Sequence, residues 1–164
     1  MSYFEYKDMF YNCQNSGKYH MFIVDIAGSK KLDTKQLNEC FDLIKEKMES
    51  ITLFLKNEYN ILHVNDSNMY MGKTYFQHGD LFGFVVNRGY KKIVEDLINQ
   101  EFKDFKYDIH YNCGFYDTDN WVEGGEKYYF GYCIQQLEEN SKDFLFKKGQ
   151  AHLINEKIEK EIQR

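Results

Sequence analysis

An aspartate closes a long apolar run in this sequence, YHMFIVDIAGS, and a second follows a glycine inside TYFQHGDLFGFVV. Carboxylates are seldom buried unless they are paired or bind a metal, so Asp25 at the end of an apolar, β-branched stretch calls for a partner. Asp80 is the candidate. Two carboxylates held side by side repel and one takes up a proton; with a divalent cation between them both stay ionised and reach phosphate oxygens through the metal. The residues after Asp25 extend this chemistry. Ala27, Gly28 and Ser29 form a tight turn able to present successive backbone N–H groups to a triphosphate, with Lys30 or Lys31 beside it as point charges. His78, next to Gly79-Asp80, is a further candidate ligand or acid–base group. The simpler alternative, that Asp25 caps a turn and Asp80 serves a hairpin, leaves the apolar setting of Asp25 without a cause.

These residues need a scaffold. The chain has 164 residues, 43% hydrophobic and 18% aromatic, which suffices for one compact core and leaves little room for a second. It contains no proline, so glycine, asparagine and aspartate must punctuate it. Residues 1–18 read as an N-terminal arm or short helix, and 19–164 as a single catalytic domain. The run 19–29 reads as a buried central strand. From Asp33 the apolar positions Leu37, Cys40, Phe41, Ile44, Met48, Ile51 and Leu55 recur at helical steps, with Asp33 or Thr34 as N-cap. Residues 60–68 read as loop with a brief strand. MYMGKTYFQ and LFGFVVN form a hairpin around Gly79-Asp80. Residues 90–102 have helical spacing and 105–116 alternate as a strand. YYFGYCIQQLEEN turns into helix, 143–149 reads as a last strand, and 151–164 as a terminal amphipathic helix. The order β-α-β-β-α-β, with α-β-α added, predicts an α+β fold: a ferredoxin-like palm whose central antiparallel sheet carries the helices. In such a sheet the first strand lies beside the hairpin, which brings Asp25 towards Asp80.

Charge narrows the ligands. Twenty-one Lys and Arg against 26 Asp and Glu give a net charge of −5, which opposes sequence-independent attraction to duplex nucleic acid. The only arginines are Arg88 and Arg164, so phosphates must be held by lysines, backbone N–H groups or bound cations. No stretch approaches the roughly 18 apolar residues of a membrane span. The four cysteines have no CxxC spacing and the start MSYFEYKDMF no leader pattern, so the expected setting is reduced and cytoplasmic.

FIVDIAGSKKL resembles the first metal-binding motif of class III nucleotidyl cyclases, and TYFQHGDLFGFVV is similar both to their second and to the Gly-Asp core of diguanylate cyclases. IHYNCGFY and YYFGYCIQQLEENSKDFLF resemble later strand and helix motifs, so the likeness covers about residues 19–147. It implies that Asp25 and Asp80, with the carbonyl of Ile26, hold Mg2+ or Mn2+, that Ala27-Gly28-Ser29 cradle phosphates, and that pyrophosphate leaves a nucleoside triphosphate. It also implies a homodimer with sites shared between subunits, and a separate effector that binds the cyclic nucleotide, as in bacterial antiviral signalling.

The departures matter equally. Aligning Gly131 with the family glycine puts Gln135 at the ribose-orienting Asn and Glu139 at the transition-state Arg. A carboxylate cannot neutralise charge growing on a triphosphate. Tyr128 and Phe76 stand where the family's base-reading Asp and Lys are expected and offer stacking instead, with Lys73 as a polar contact. Three readings follow: a nucleotide cyclase, a minimal CRISPR-polymerase-like synthase of cyclic di- or oligonucleotides, and a nucleotide-binding homologue without catalysis.

Overall fold

The computed structural model describes residues 18–63, 73–116 and 133–139, together with the backbone of 144–146 and 154–155. The strands are β1 (Tyr19–Ile26), β2 (Leu62–His63), β3 (Phe76–His78), β4 (Leu81–Asn87), β5 (Ile109–Tyr116), β6 (Phe144–Phe146) and β7 (Ile154–Asn155). The helices are α1 (Thr34–Phe54), α2 (Lys91–Phe102) and α3 (133–139). The fold is mixed α+β, with a single antiparallel sheet in the order β2-β4-β1-β5-β6-β7 and β3 also paired with β4.

β1 is central and buried on both faces, which is why its sequence is a continuous apolar run rather than an alternation. Phe22, Val24 and Ile26 point to one face and meet Phe82, Phe84, Tyr111 and Ile109 from the neighbouring strands under Ile44 and Met48 of α1 and Val94 and Ile98 of α2. Phe22 and Phe84 stack with ring centroids 5.4 Å apart. Met21 and Ile23 point to the other face, where Leu81, Val85, Phe76 and Tyr116 pack with Cys133, Ile134 and Leu137 of α3. Asp25 continues the second set, two residues beyond Ile23.

Local chemistry fixes the end of β1 that carries Asp25. Gly28 takes φ 68°, the left-handed region that a glycine enters without penalty, and a short 3-10 turn (Ser29–Lys31) leads to α1. Asp33 caps α1: its Oδ1 accepts from the Gln36 N–H at 2.8 Å while the Gln36 side chain accepts from the Asp33 N–H at 3.1 Å. This reciprocal box satisfies two otherwise orphaned donors at the helix start. α1 runs on through a π-turn (Leu55–Tyr59) and stops at Asn60, whose φ is 52°.

Some expectations change. The strand of the run 19–29 ends at Ile26 and the expected tight turn over Ala27-Gly28-Ser29 follows, with Gly28 turning the chain. Residues 73–75 are not strand, and the described part of the first hairpin arm is only Phe76–His78. The terminal helix expected over 151–164 is not helical at Ile154–Asn155, which pair with Leu145 and Phe144 at the edge of the sheet. Long-range pairing overrides local periodicity there. The arm over 1–18 lies, but for Lys18, outside the described residues, as does Tyr128.

Candidate functional site

The β3–β4 hairpin closes through Gly79 and Asp80, since His78 already faces Leu81. Gly79 has φ 62°, and glycine at the first corner of a two-residue turn is what a II′-type hairpin requires. Leu81 in turn faces Asp25 across the β1–β4 ladder. Asp80 is therefore one residue from the cross-strand partner of Asp25, and the two carboxyls come within hydrogen-bonding reach of each other.

Burial, the Asp80 carboxylate and, more weakly, that of Glu138 on α3 push the Asp25 carboxyl up to about 7, although the Ile26 N–H donates to it and acts the other way. Its Oδ1 is buried and has no hydrogen-bond partner among the described residues. An acceptor-only oxygen left bare beside a second carboxylate suits a hard divalent cation, which takes oxygen ligands and completes its shell with water and phosphate. Among the described residues no third His, Cys, Asp or Glu joins the pair as a cluster. Glu138 acts on Asp25 through its field, not as a ligand.

On the opposite flank of β1, His110 of β5 faces Asp25, so both side chains belong to the same side of the sheet. A cleft of about 490 Å³ opens beside the turn that follows β1, lined by Ala27, Gly28, Lys31, Lys106, Tyr107, Asp108 and His110 among others but by neither Asp25 nor Asp80. That size falls in the usual range of small-molecule sites. Of the proposed phosphate cradle, the Ala27 N–H is already committed to the Asp108 carbonyl at 3.0 Å, leaving the amides of Gly28 and Ser29 for a ligand. Lys30 is exposed on the same turn.

No protein-family model, curated protein or solved structure matches the chain.

Other expected site residues fall elsewhere. Phe76 is 2% exposed, and its ring covers Gly83, its partner across the hairpin; it is a core side chain and not an open platform for a base. Lys73 lies over the Tyr75 ring at 5.5 Å, beside a cleft against Glu49 and Leu53 of α1, and does not line the cleft at the turn after β1. Gln135 is exposed on α3 and donates to Glu139 at 3.3 Å, while the buried side of that helix is Cys133, Ile134 and Leu137. Asn112 of β5 holds α3 in place by donating to the Leu137 carbonyl at 2.9 Å. His78 is exposed at the end of β3, and burial of the part of its ring turned towards the protein lowers its pKa.

Sequence reasoning passed over Glu138 and His110. Strand parity carries a signal for the second: Ile109 and Tyr111 alternate into the helix-covered core, which turns His110 to the face of Asp25.

Proposed function

We propose that this chain is a metal-dependent nucleotide cyclase on a ferredoxin-like palm, using Mg2+ or Mn2+ to convert a nucleoside triphosphate into a cyclic nucleotide and pyrophosphate. The observation that carries the reading is the meeting of the Asp25 and Asp80 carboxyls, together with a buried Asp25 Oδ1 that has no hydrogen-bond partner among the described residues. The strand order β3-β4-β1-β5, with α1 and α2 together on one face, supports the palm because it is the order a β-α-β-β-α-β unit makes.

Asp25 and Asp80 would hold the cation, with the Ile26 carbonyl as a further oxygen. Such an ion supplies a more acidic ribose hydroxyl and neutralises triphosphate charge. The chain's own residues bind and orient: Gly28 and Ser29 offer N–H groups to the phosphates, and Lys30 and Lys31 add positive charge. Gln135 is exposed on α3, and in a homodimer sharing residues between sites it would serve the partner's site. The product would act on a separate cyclic-nucleotide-binding effector in a signalling pathway of the antiviral kind.

The Gln135–Glu139 contact favours a second reading. It puts no cation where a cyclase has its transition-state Arg, and a synthase of cyclic di- or oligonucleotides on the same palm works without one. Incubation with each of the four triphosphates and Mg2+ or Mn2+, followed by mass analysis, separates the two. A cyclic mononucleotide supports the first and a cyclic oligonucleotide the second. Unchanged triphosphates with metal-dependent binding leave a non-catalytic nucleotide-binding protein.

A further inference from the structure

The end of β1 remote from Asp25 lies beside a concentration of positive charge. β4 passes into α2 through Arg88, Gly89 and Tyr90, and α2 opens on Lys91 and Lys92 with no acid in its first turn. The start of a helix is its positive end, so cations there are disfavoured and an anion is welcome. Tyr90, the N-cap, makes no side-chain hydrogen bond to the first turn. Arg88, Lys91 and Lys92 are exposed, and neither Arg88 nor Lys91 has a carboxylate within ion-pair distance among the described residues. Glu95, one turn into the helix, instead accepts from the Tyr111 hydroxyl at 2.9 Å.

A buried histidine lies under this helix start. His20 is 7% exposed, and its Nδ1 is buried without a hydrogen-bond partner. Its ring is on the helix-covered face with Phe22 and stacks on Phe115 of β5 at 4.4 Å. The Arg88 guanidinium sits 5.3 Å from the centre of that same Phe115 ring, and the Lys91 ammonium reaches Cys113, two residues away on the same face of β5. Lys91 and Arg88 are also the two charges that act on His20. The imidazole thus faces the space that both cations and the start of α2 enclose. A buried polar atom with its bond unmade costs stability, and an acceptor brought by a ligand completes it. Asp25 is five residues further along β1, hence on the opposite face and roughly 17 Å away at strand spacing.

We propose that the start of α2 binds a phosphate dianion, free or as the end of a small phosphorylated metabolite, with Arg88, Lys91 and the first-turn N–H groups as donors and His20 Nδ1 completing the site from below. Two unpaired cations and a helix start match a doubly charged oxyanion better than a singly charged carboxylate. The site is separate from the Asp25–Asp80 pair and does not depend on turnover.

Calorimetric titration of the full chain with inorganic phosphate, at about 0.15 M chloride and with a chelator present, tests it. The wild-type chain binds saturably. Arg88→Met and Lys91→Met each weaken binding about tenfold, and His20→Phe about threefold, as loss of charged and neutral donors implies. Thermal melting separates lost binding from lost folding: without phosphate Lys91→Met melts no lower than wild type, because a cation has left the positive end of a helix, whereas with phosphate it melts lower. A parallel titration with glycerol 3-phosphate distinguishes the sources, since equal affinity assigns the free ion and tighter binding an organic monoester. Absence of saturable wild-type binding, or affinity within twofold of wild type in the Arg88→Met, Lys91→Met double variant, overturns the proposal. So does binding that is lost in a Lys30→Met, Lys31→Met double variant and kept in the Arg88, Lys91 one, which would move the anion to the turn after β1.

Discussion

The carboxyl of Asp25 meets that of Asp80 because the Gly79–Asp80 turn ends one residue before Leu81, the residue facing Asp25 in the β1–β4 ladder. Register therefore fixes the pair, and a one-residue slip of the hairpin would send Leu81 to the other face and separate the two acids.

This arrangement weakens the apo fold. The Asp25 carboxyl titrates near 7 in the folded chain and in the usual carboxylate range when unfolded. Between those values the folded state binds the extra proton, so stability rises as pH falls through about 7 and the penalty is in full force above it. Asp25→Asn removes the penalty. Discounted for its partial exposure, the gain is ~1 kcal/mol at pH 8, shrinking to nothing near pH 4; denaturant melts of both proteins across that range measure it.

A cation relieves the same repulsion. With an affinity in the millimolar range, 10 mM Mg2+ raises stability by ~1.4 kcal/mol, or roughly 3–6 °C in melting temperature. Neither Asp25→Asn nor Asp80→Asn shows that rise. Because Asp25 must be ionised to take the ion, the wild-type shift grows as pH rises through about 7. A thermal scan against Mg2+ at pH 6 and pH 8 checks the sign.

Gly83 has no room for a side chain. A Cβ there would lie 2.5 Å from the backbone oxygen of Phe22 and inside the Phe76 ring. The backbone of central β1 cannot give way, so Gly83→Ala costs about 3 kcal/mol or prevents folding, measured by equilibrium unfolding. Phe76→Leu, which clears space above Gly83, recovers part of that loss.

Asp25 was legible in the sequence because it breaks a local rule, being an acid at the end of a buried strand, and Asp80 because it follows one, standing beside glycine at a hairpin turn. The Asp33 cap and the apolar steps of α1 were legible for the same reason, being set within a few residues. Phe76 was not, because ring type does not tell a core residue from a stacking surface; its commitment depends on Gly83 seven residues away and on the register between them. Gln135 and Glu139 lie at i and i+4 on the side of α3 away from Cys133 and Leu137, and motif alignment overrode that stripe. The pairing of Lys106 with Glu39 joins positions 67 residues apart and has no local signature.

The central claim is that Asp25 and Asp80 hold a catalytic cation, and pyrophosphate release from nucleoside triphosphates tests it most directly. Wild-type protein with Mg2+ or Mn2+ should release pyrophosphate from at least one triphosphate, chelation should stop it, and folded Asp25→Asn and Asp80→Asn should each lose it by about a hundredfold or more. Turnover at the wild-type rate in either variant, or none in the wild type with any of the four triphosphates and either metal, would contradict the account.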